Sequence, residues 1–331
     1  MKVLVTGASG MLGGQLALAL AARGDEVTVM QRRPSGLDLA EVLADVADAD
    51  SVASAVAGQD AVVHLAAKVN ITGAWADYQR ANVVGTANVV AGCRSGGVGR
   101  LVHVSSPSVA HAGSSLVGVG AGPADPKRAR GPYARSKAAA EQVALGADSR
   151  SLSVVAVRPH MVWGPGDTQL VARIVARGQA GRLPVIGTGA PLVDTTYVTN
   201  AVEALIAALD RCEEASGQAL VVSNGEPRPI GEVLGSFCAA AGVSWTPRRI
   251  PTRLALAAGG AVELAWSLRS RRNRAAAEAD PPLNRFLVEQ LSTAHWFDQR
   301  HTRELLQWQP RVSWDAGLQA LAESYRSASV S

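Results

Sequence analysis

The sequence predicts an α/β fold, a doubly wound parallel sheet followed by a smaller C-terminal cap. Three observations lead there. Short β-branched runs alternate with alanine-rich helical stretches through the first half of the chain. Those runs are apolar almost throughout instead of alternating with polar residues, as strands covered on both faces must be. A glycine-rich turn stands between the first run and the first helical stretch, the position that opens a doubly wound sheet. The 331 residues suffice for one large α/β unit and a smaller second part. We divide them into a core over 1–165, to which part of 190–225 returns, and a cap made mainly of 166–331.

Taken in order, the strands are expected at 3–5, 27–30, 61–65, 101–105 and 153–157, with helices over 12–23, 74–93 and 133–147 between them. Residues 112–131 are rich in Gly, Pro and Ser and have no period, so they read as a long loop beside the site. The second half is less regular: helices over 170–178, 201–209 and 232–241, a strand at 221–224, and an apolar helix from 252 that ends in a basic run at 269–274. Pro281-Pro282 stops that helix from running much further.

Composition narrows the function classes. With 47 % hydrophobic and 18 % charged residues the chain is globular, not disordered. The net charge of +4 is scattered except at Arg32-Arg33 and 269–274, too sparse for a nucleic-acid footprint. Cys93, Cys212 and Cys238 stand far apart with no CxxC, so they read as reduced thiols of a cytoplasmic protein. The six histidines have no HExxH-like spacing, and no metal site is expected. MKVLVTG turns glycine-rich too soon for a signal peptide. The apolar stretch 254–266 holds Glu263 and two glycines and is too short to span a bilayer.

The run Thr6-Gly7-Ala8-Ser9-Gly10-Met11-Leu12-Gly13 follows the first strand and opens a helix. That context makes it a dinucleotide fingerprint: Gly7 for the tight turn, Gly10 for close approach of the pyrophosphate, Gly13 for helix packing. Free N–H groups and the helix dipole then attract the anion. Folds that select NAD place a carboxylate about 20 residues further on. Here that place reads Met30-Gln31-Arg32-Arg33, and two guanidiniums suit a 2′-phosphate, so NADPH is the expected cofactor. A solvated strand end would also account for the two arginines. Asp45 and Val46 should follow the third strand, where such folds contact adenine; Asp45 equally suits a helix cap.

Tyr133-Ala134-Arg135-Ser136-Lys137 puts a phenol and an ammonium four apart, on one face of a helix. The cation stabilises the phenolate and lowers a pKa that is otherwise about 10, which suits the phenol to give a proton to a ketone oxygen. Tyr–Lys pairs also occur on ordinary amphipathic helices. The serine pair Ser105-Ser106 at the preceding strand end, where a hydroxyl can bond the substrate oxygen, sets this pair apart.

The segments TGASGMLGG, HLAAKV, NVVGT, VSSPSV, YARSK and VRPHMVWGPGD resemble the extended short-chain dehydrogenases/reductases, in the 3β-hydroxysteroid dehydrogenase-like branch. The resemblance implies a Rossmann core and the catalytic group Ser106, Tyr133, Lys137 and Asn82. It implies cofactor contacts at Gly7, Ser9, Gly10, Met11 and Leu12, and at Arg32, Arg33, Asp45 and Val46. Further contacts follow at Leu65, Ala66, Ala67, Lys137 and Pro159. In the second half DTTYV, VVSNGEPRP and PPLNRFLVEQLSTAHWF are similar to the OleD-type reductases of bacterial long-chain olefin biosynthesis. That similarity implies NADPH-dependent reduction of 2-alkyl-3-oxoalkanoic acids, with neighbouring pathway enzymes as partners. Thr199 stands where extended members often carry Asp.

The lipid-like substrate is expected to meet His160, Trp163, Trp75 and the 112–131 loop. Lys68 or His111 is the candidate to hold its carboxylate. The apolar helix with its basic end is read as a core helix or as a peripheral membrane contact, and a homodimer is a further expectation. Two other functions share these motifs: an oxidative 3β-hydroxysteroid or sterol-carboxylate dehydrogenase, which Arg32-Arg33 argue against, and a non-catalytic NADP sensor, which would not need the Tyr/Lys pair.

Overall fold

A computed structural model describes residues 1–70, 73–270 and 284–330. In chain order the first strands are Lys2–Thr6 (β1), Glu26–Gln31 (β2), Ala40–Leu43 (β3), Ala61–His64 (β4) and Arg100–Val104 (β5), followed by Leu116–Val119 (β6) and Ser153–Pro159 (β7). Six of these, with Ala219–Val222, form a parallel seven-stranded sheet in the order Ala219–Val222, β7, β5, β4, β1, β2, β3. The strand order reverses at β1, and in open α/β sheets a cleft opens at such a point outside the carboxyl ends. The fold is thus the Rossmann-like α/β sheet expected, with smaller sheets after it.

Both faces of the sheet are covered. Helix α1 (Met11–Ala22) lies on one face with Leu16, Ala17 and Leu20 fully buried, and Val3, Val5 and Val155 share its apolar cluster. On the other face Leu4, Val62, Leu101 and Val154 pack with α2 (Ala49–Val56). Each such leucine contributes about 1.5–3 kcal/mol of burial free energy. A third cluster, around Trp163, Phe237 and Trp314, forms the core of the cap.

Two stretches differ from the sequence reading, and part of a third lies outside the described residues. The expected helix over 74–93 is split into α3 (Trp75–Tyr78), a π-helical turn Gln79–Val84, and α4 (Gly85–Gly96). The long loop 112–131 contains β6, which pairs in parallel with His295–Phe297 from the far end of the chain. Its alternating, half-exposed residues look like loop until that partner is placed beside them. The loop is also held by Arg158, fully buried, whose Nη1 donates to the carbonyls of Ala121 and Gly122 at 2.8 Å each while Nε donates to Glu141 at 2.8 Å. The apolar helix is Thr252–Ser270; residues 271–283, with Arg271, Arg272 and Arg274 of the basic run, lie outside the described residues. Among the described residues no helix is long and apolar enough to cross a membrane. Cys93, Cys212 and Cys238 are buried free thiols.

Candidate active site

The cleft begins at the glycine loop. Gly7 has φ +83°, and a Cβ there would lie 2.8 Å from the Ala66 backbone nitrogen. At Gly13 a Cβ would lie 2.4 Å from the Gly7 carbonyl oxygen. The protein's own packing therefore requires both glycines. Gly10 differs: a Cβ there would meet only the Gly7 oxygen, at 3.6 Å, so what its absence leaves open is space on the cleft side. Gly10 is also the N-cap of α1, and no side chain caps that helix. Uncapped N–H groups at a helix start facing an open cradle suit a pyrophosphate.

The cradle continues as a cleft of about 710 Å³ lined by Gln31, Arg32, Arg33, Asp45, Val46 and Lys68. Ser9, Leu65, Ala66 and Ala67 line it too. No carboxylate stands at the end of β2; Glu41 on β3 is engaged by Gln31 Nε2 and by the Ser35 backbone N–H and hydroxyl. Asp45 accepts from the Ala47 N–H and pairs with Arg80 at 3.0 Å, and the cap of α2 is Asp48 instead. Lys68 faces this half, 3.9 Å from Asp77 and over the Tyr78 ring. It does not line the pocket beyond Tyr133.

The other half, about 790 Å³, is lined by Met11, Leu12, Ser106, Tyr133, Lys137 and Pro159. Helix α5 (Gly131–Leu145) carries Tyr133 and Lys137 one turn apart. The Lys137 ammonium donates to the Val104 carbonyl at 2.5 Å. Burial lowers its pKa to about 8, and Glu141 opposes that. Burial raises the Tyr133 phenol, and a hydrogen bond from Ser106 draws it back. Ser106 Oγ accepts from the Ser108 N–H at 3.3 Å and from the Ser108 hydroxyl at 3.0 Å, which leaves its own hydrogen for the phenol. Ser105 Oγ is buried without a partner.

Asn82 lies in the π-helical turn and acts through others. Its Oδ1 accepts from the Lys68 N–H at 2.7 Å; its Nδ2 donates to Ser136 Oγ at 2.8 Å and to the Lys68 carbonyl at 3.1 Å. With those groups engaged, its side chain holds the Lys68 backbone and Ser136 in place. It belongs to a buried chain that the sequence reading missed. The Ala66 N–H donates to Thr6 Oγ1, which meets His64 Nδ1 at 2.8 Å; His64 Nε2 meets Thr86 Oγ1 at 3.0 Å. Thr86 gives its hydrogen to the Asn82 carbonyl at 2.6 Å, so it accepts from His64. Ser136 then donates to the Tyr133 carbonyl at 2.8 Å. The chain links the end of β1 to the catalytic turn of α5. Burial lowers the His64 pKa to about 3 and keeps the ring neutral.

Beyond Tyr133 the cleft reaches a pocket of about 140 Å³ lined by Ser106, Tyr133, Met161 and the rings of His111, His160, His295 and Phe297. Of the expected substrate residues this brings His111 and His160 together and excludes two others. Trp163 is fully buried in the cap core, donating to Thr195 Oγ1 at 2.9 Å. Trp75 lies under the Arg135 guanidinium at 4.6 Å and lines a separate surface depression. His295 was not foreseen; nothing local to it signals its pairing with β6. Among the described residues no cluster could hold a metal ion.

The parallel sheet, the glycine cradle and the Ser–Tyr–Lys group together define a dinucleotide-dependent oxidoreductase. Residues 3–223 match the NAD dependent epimerase/dehydratase family, and the chain belongs to it, as an extended short-chain dehydrogenase. It is 40 % identical to a 2-alkyl-3-oxoalkanoate reductase of Stenotrophomonas maltophilia, over 98 % of this chain and 99 % of that one. It is 35 % identical to a second protein of that description, from Shewanella oneidensis, over 97 % of this chain and 85 % of the relative. The solved structure of MoeE5 in complex with UDP-glucose and NAD superposes with a TM-score of 0.76 at 26 % identity, covering 100 % of both chains.

Proposed function

We propose that the protein is an NADPH-dependent reductase of 2-alkyl-3-oxoalkanoic acids, yielding the 2-alkyl-3-hydroxy acids in a cytoplasmic route to long-chain olefins. The observation that carries this reading is the near-full-length similarity to reductases of that description, combined with an intact Ser106–Tyr133–Lys137 group beside a small pocket. Arg32 and Arg33 beside an acid-free strand end favour the 2′-phosphate. The cofactor, when bound, supplies the hydride. The chain's own residues do the rest. The glycine cradle and the Lys137 ammonium orient the dinucleotide in the cleft. With a ketone in place, Ser106 turns its hydrogen from the phenol to the ketone oxygen and so polarises the carbonyl. Tyr133 gives that oxygen its proton, and the Lys137 charge stabilises the phenolate left behind. A neighbouring cavity of about 440 Å³ shares His111, Leu116 and Phe297 with the pocket and offers room for alkyl chain. The test is NADPH consumption with a 2-alkyl-3-oxo acid and a 3-ketosteroid side by side. Turnover of the acid alone is expected; preference for the steroid would overturn the reading.

A further inference from the structure

A β-keto acid carries a carboxylate, and the pocket beside Tyr133 must hold it. Among the described residues that line the pocket there is neither lysine nor arginine. Besides Ser106, Ser108, Tyr133 and Gln290, its polar lining is three histidines delivered by separate elements: His111 after the 3₁₀ turn Pro107–Ala110, His160 after β7, and His295 on the strand paired with β6. The rings touch. His111 and His295 lie 4.8 Å apart centre to centre, His160 and His295 6.0 Å, both edge to face.

Their hydrogen bonds fix which nitrogens are free. His160 Nδ1 faces the Asp194 carbonyl at 2.5 Å, so it carries the proton and Nε2 is a bare lone pair in the neutral ring. Thr293 gives its only hydrogen to the Glu289 carbonyl at 2.6 Å, so it accepts from His295 Nε2 at 3.0 Å. His295 Nδ1 is then a second bare lone pair, buried and without a partner. His111 has both ring nitrogens buried and without a partner, although one must carry a hydrogen. An orphaned buried donor is costly, and a ligand acceptor removes that cost.

We propose that His111, His160 and His295 form the carboxylate-binding end of the substrate pocket, taking up a proton from solvent as an acid enters. The inference rests on the reading of the substrate as a β-keto acid. Before the acid enters, all three rings are neutral. Burial lowers His295 to about 3 and His160 to about 4, and it lowers His111 together with the charge of Arg130. A carboxylate favours protonation of the ring it meets, and either bare lone pair can take the proton. The other groups facing the trio do not compete. Arg130 is exposed at the N-cap of α5, and Arg158 is paired with Glu141. The Asp194 carboxylate, which burial raises to about 6, is turned away from the rings to Ser223 Oγ and the Gly225 and Glu226 N–H groups, and above pH 7 it takes up no proton. Glu289 offers its carbonyl, and the helix Arg285–Ser292 presents Phe286 and Gln290. Ser106 and Tyr133 close the pocket on the cofactor side. A site built this way reads acid against ester or ketone, and its affinity rises as pH falls.

The experiment has two arms. In the first, NADPH-loaded wild-type protein is titrated calorimetrically with 2-butyl-3-hydroxyoctanoate or its methyl ester, in buffers of different ionisation enthalpy. Uptake of about one proton with the acid and none with the ester is expected on neutral rings. Binding of the acid without proton uptake would overturn the proposal, as would acid and ester binding alike. In the second, the kcat/KM ratio of 3-oxo acid to methyl ester is measured for wild type, His111→Phe and His295→Phe. The ratio should fall about ten- to a hundredfold in each variant, as expected for loss of a charge-assisted hydrogen bond. An unchanged ratio in both folded variants would count against the site. The calorimetric arm decides the site even where neither compound is reduced, which separates its failure from failure of the functional reading.

Discussion

Tyr133 lies on the boundary between two regions built by different means. On its cofactor side the cleft comes from short contiguous segments at the ends of adjacent parallel strands: the loop after β1, the arginines after β2, Leu65 to Lys68 after β4, and Ser106 after β5. On its substrate side the pocket is assembled from His111, His160, Phe286 and His295, which no local run connects. The first region recognises a ligand with fixed charges, and fixed guanidinium and ammonium groups line it. The second is lined by neutral rings whose charge is conditional. A cofactor that is always a polyanion can be met by permanent charge. A site that must also accept apolar chain is better served by groups that stay neutral until an anion arrives.

The comparison can be broken at its hinge. Tyr133→Phe removes the proton donor and keeps the ring, so turnover should fall about 10²- to 10⁴-fold. NADPH affinity, read by fluorescence titration, should hold. Activity within a few-fold of wild type would show that the two regions do not meet at this phenol.

Asn82→Ala tests whether the buried chain from Thr6 to Tyr133 positions the catalytic turn. Loss of the Ser136 and Lys68 contacts should lower kcat by up to about 10²-fold through misplacement. KM for NADPH should move little, and Asn82→Asp should recover part of kcat by keeping the acceptor for the Lys68 N–H. Equal loss in kcat and in NADPH affinity would mean that the chain supports the whole cleft.

Changing Arg32 and Arg33 to Ala sharpens the cofactor side. NADPH binding should weaken about ten- to over a hundredfold while NADH binding changes little. Equal weakening of both would show that these side chains do not read the 2′-phosphate.

Acid acts on stability instead of turnover. His64, His160 and His295 sit well below their ordinary value of 6.5 in the folded chain, at about 3, 4 and 3. Below about pH 6.5 the unfolded chain binds protons that the folded one refuses, so stability falls as pH drops from there toward 4. The slope approaches about 1.4 kcal/mol per pH unit for each such ring. Melting temperatures measured between about pH 7 and 5 should fall with acid, and His64→Gln should flatten the decline. A melting temperature independent of pH over that window would mean that the rings take up protons in the fold.

Much of the cofactor side was legible because its signals are local. Gly13 is dictated by the nearby Gly7 carbonyl and Gly7 by the left-handed backbone of its turn, although the atoms that crowd Gly7 belong to Ala66 after β4. Tyr133 and Lys137 share a face by helical spacing alone. The substrate side was less so. His111 and His160 stood out as polar residues near catalytic segments, but Trp163 and Trp75 were equally good candidates by that standard. One proved to be core and the other a surface stack. Lys68 showed the same weakness: its place after β4 is local, but the side to which its ammonium turns depends on Asp77 and Tyr78 from another element.

The sequence by itself determined the sheet, the phosphate cradle and the Tyr–Lys pair. Each follows from periodicity or backbone conformation within one short segment, where few alternatives compete. Only the tertiary structure decided that β6 is a strand, since its partner His295–Phe297 lies far along the chain. The same holds for the burial of Trp163, and for His111, His160 and His295 facing one another. Neutral histidines become a joint site when the packing of distant elements brings their rings together and leaves nitrogens of His111 and His295 without partners.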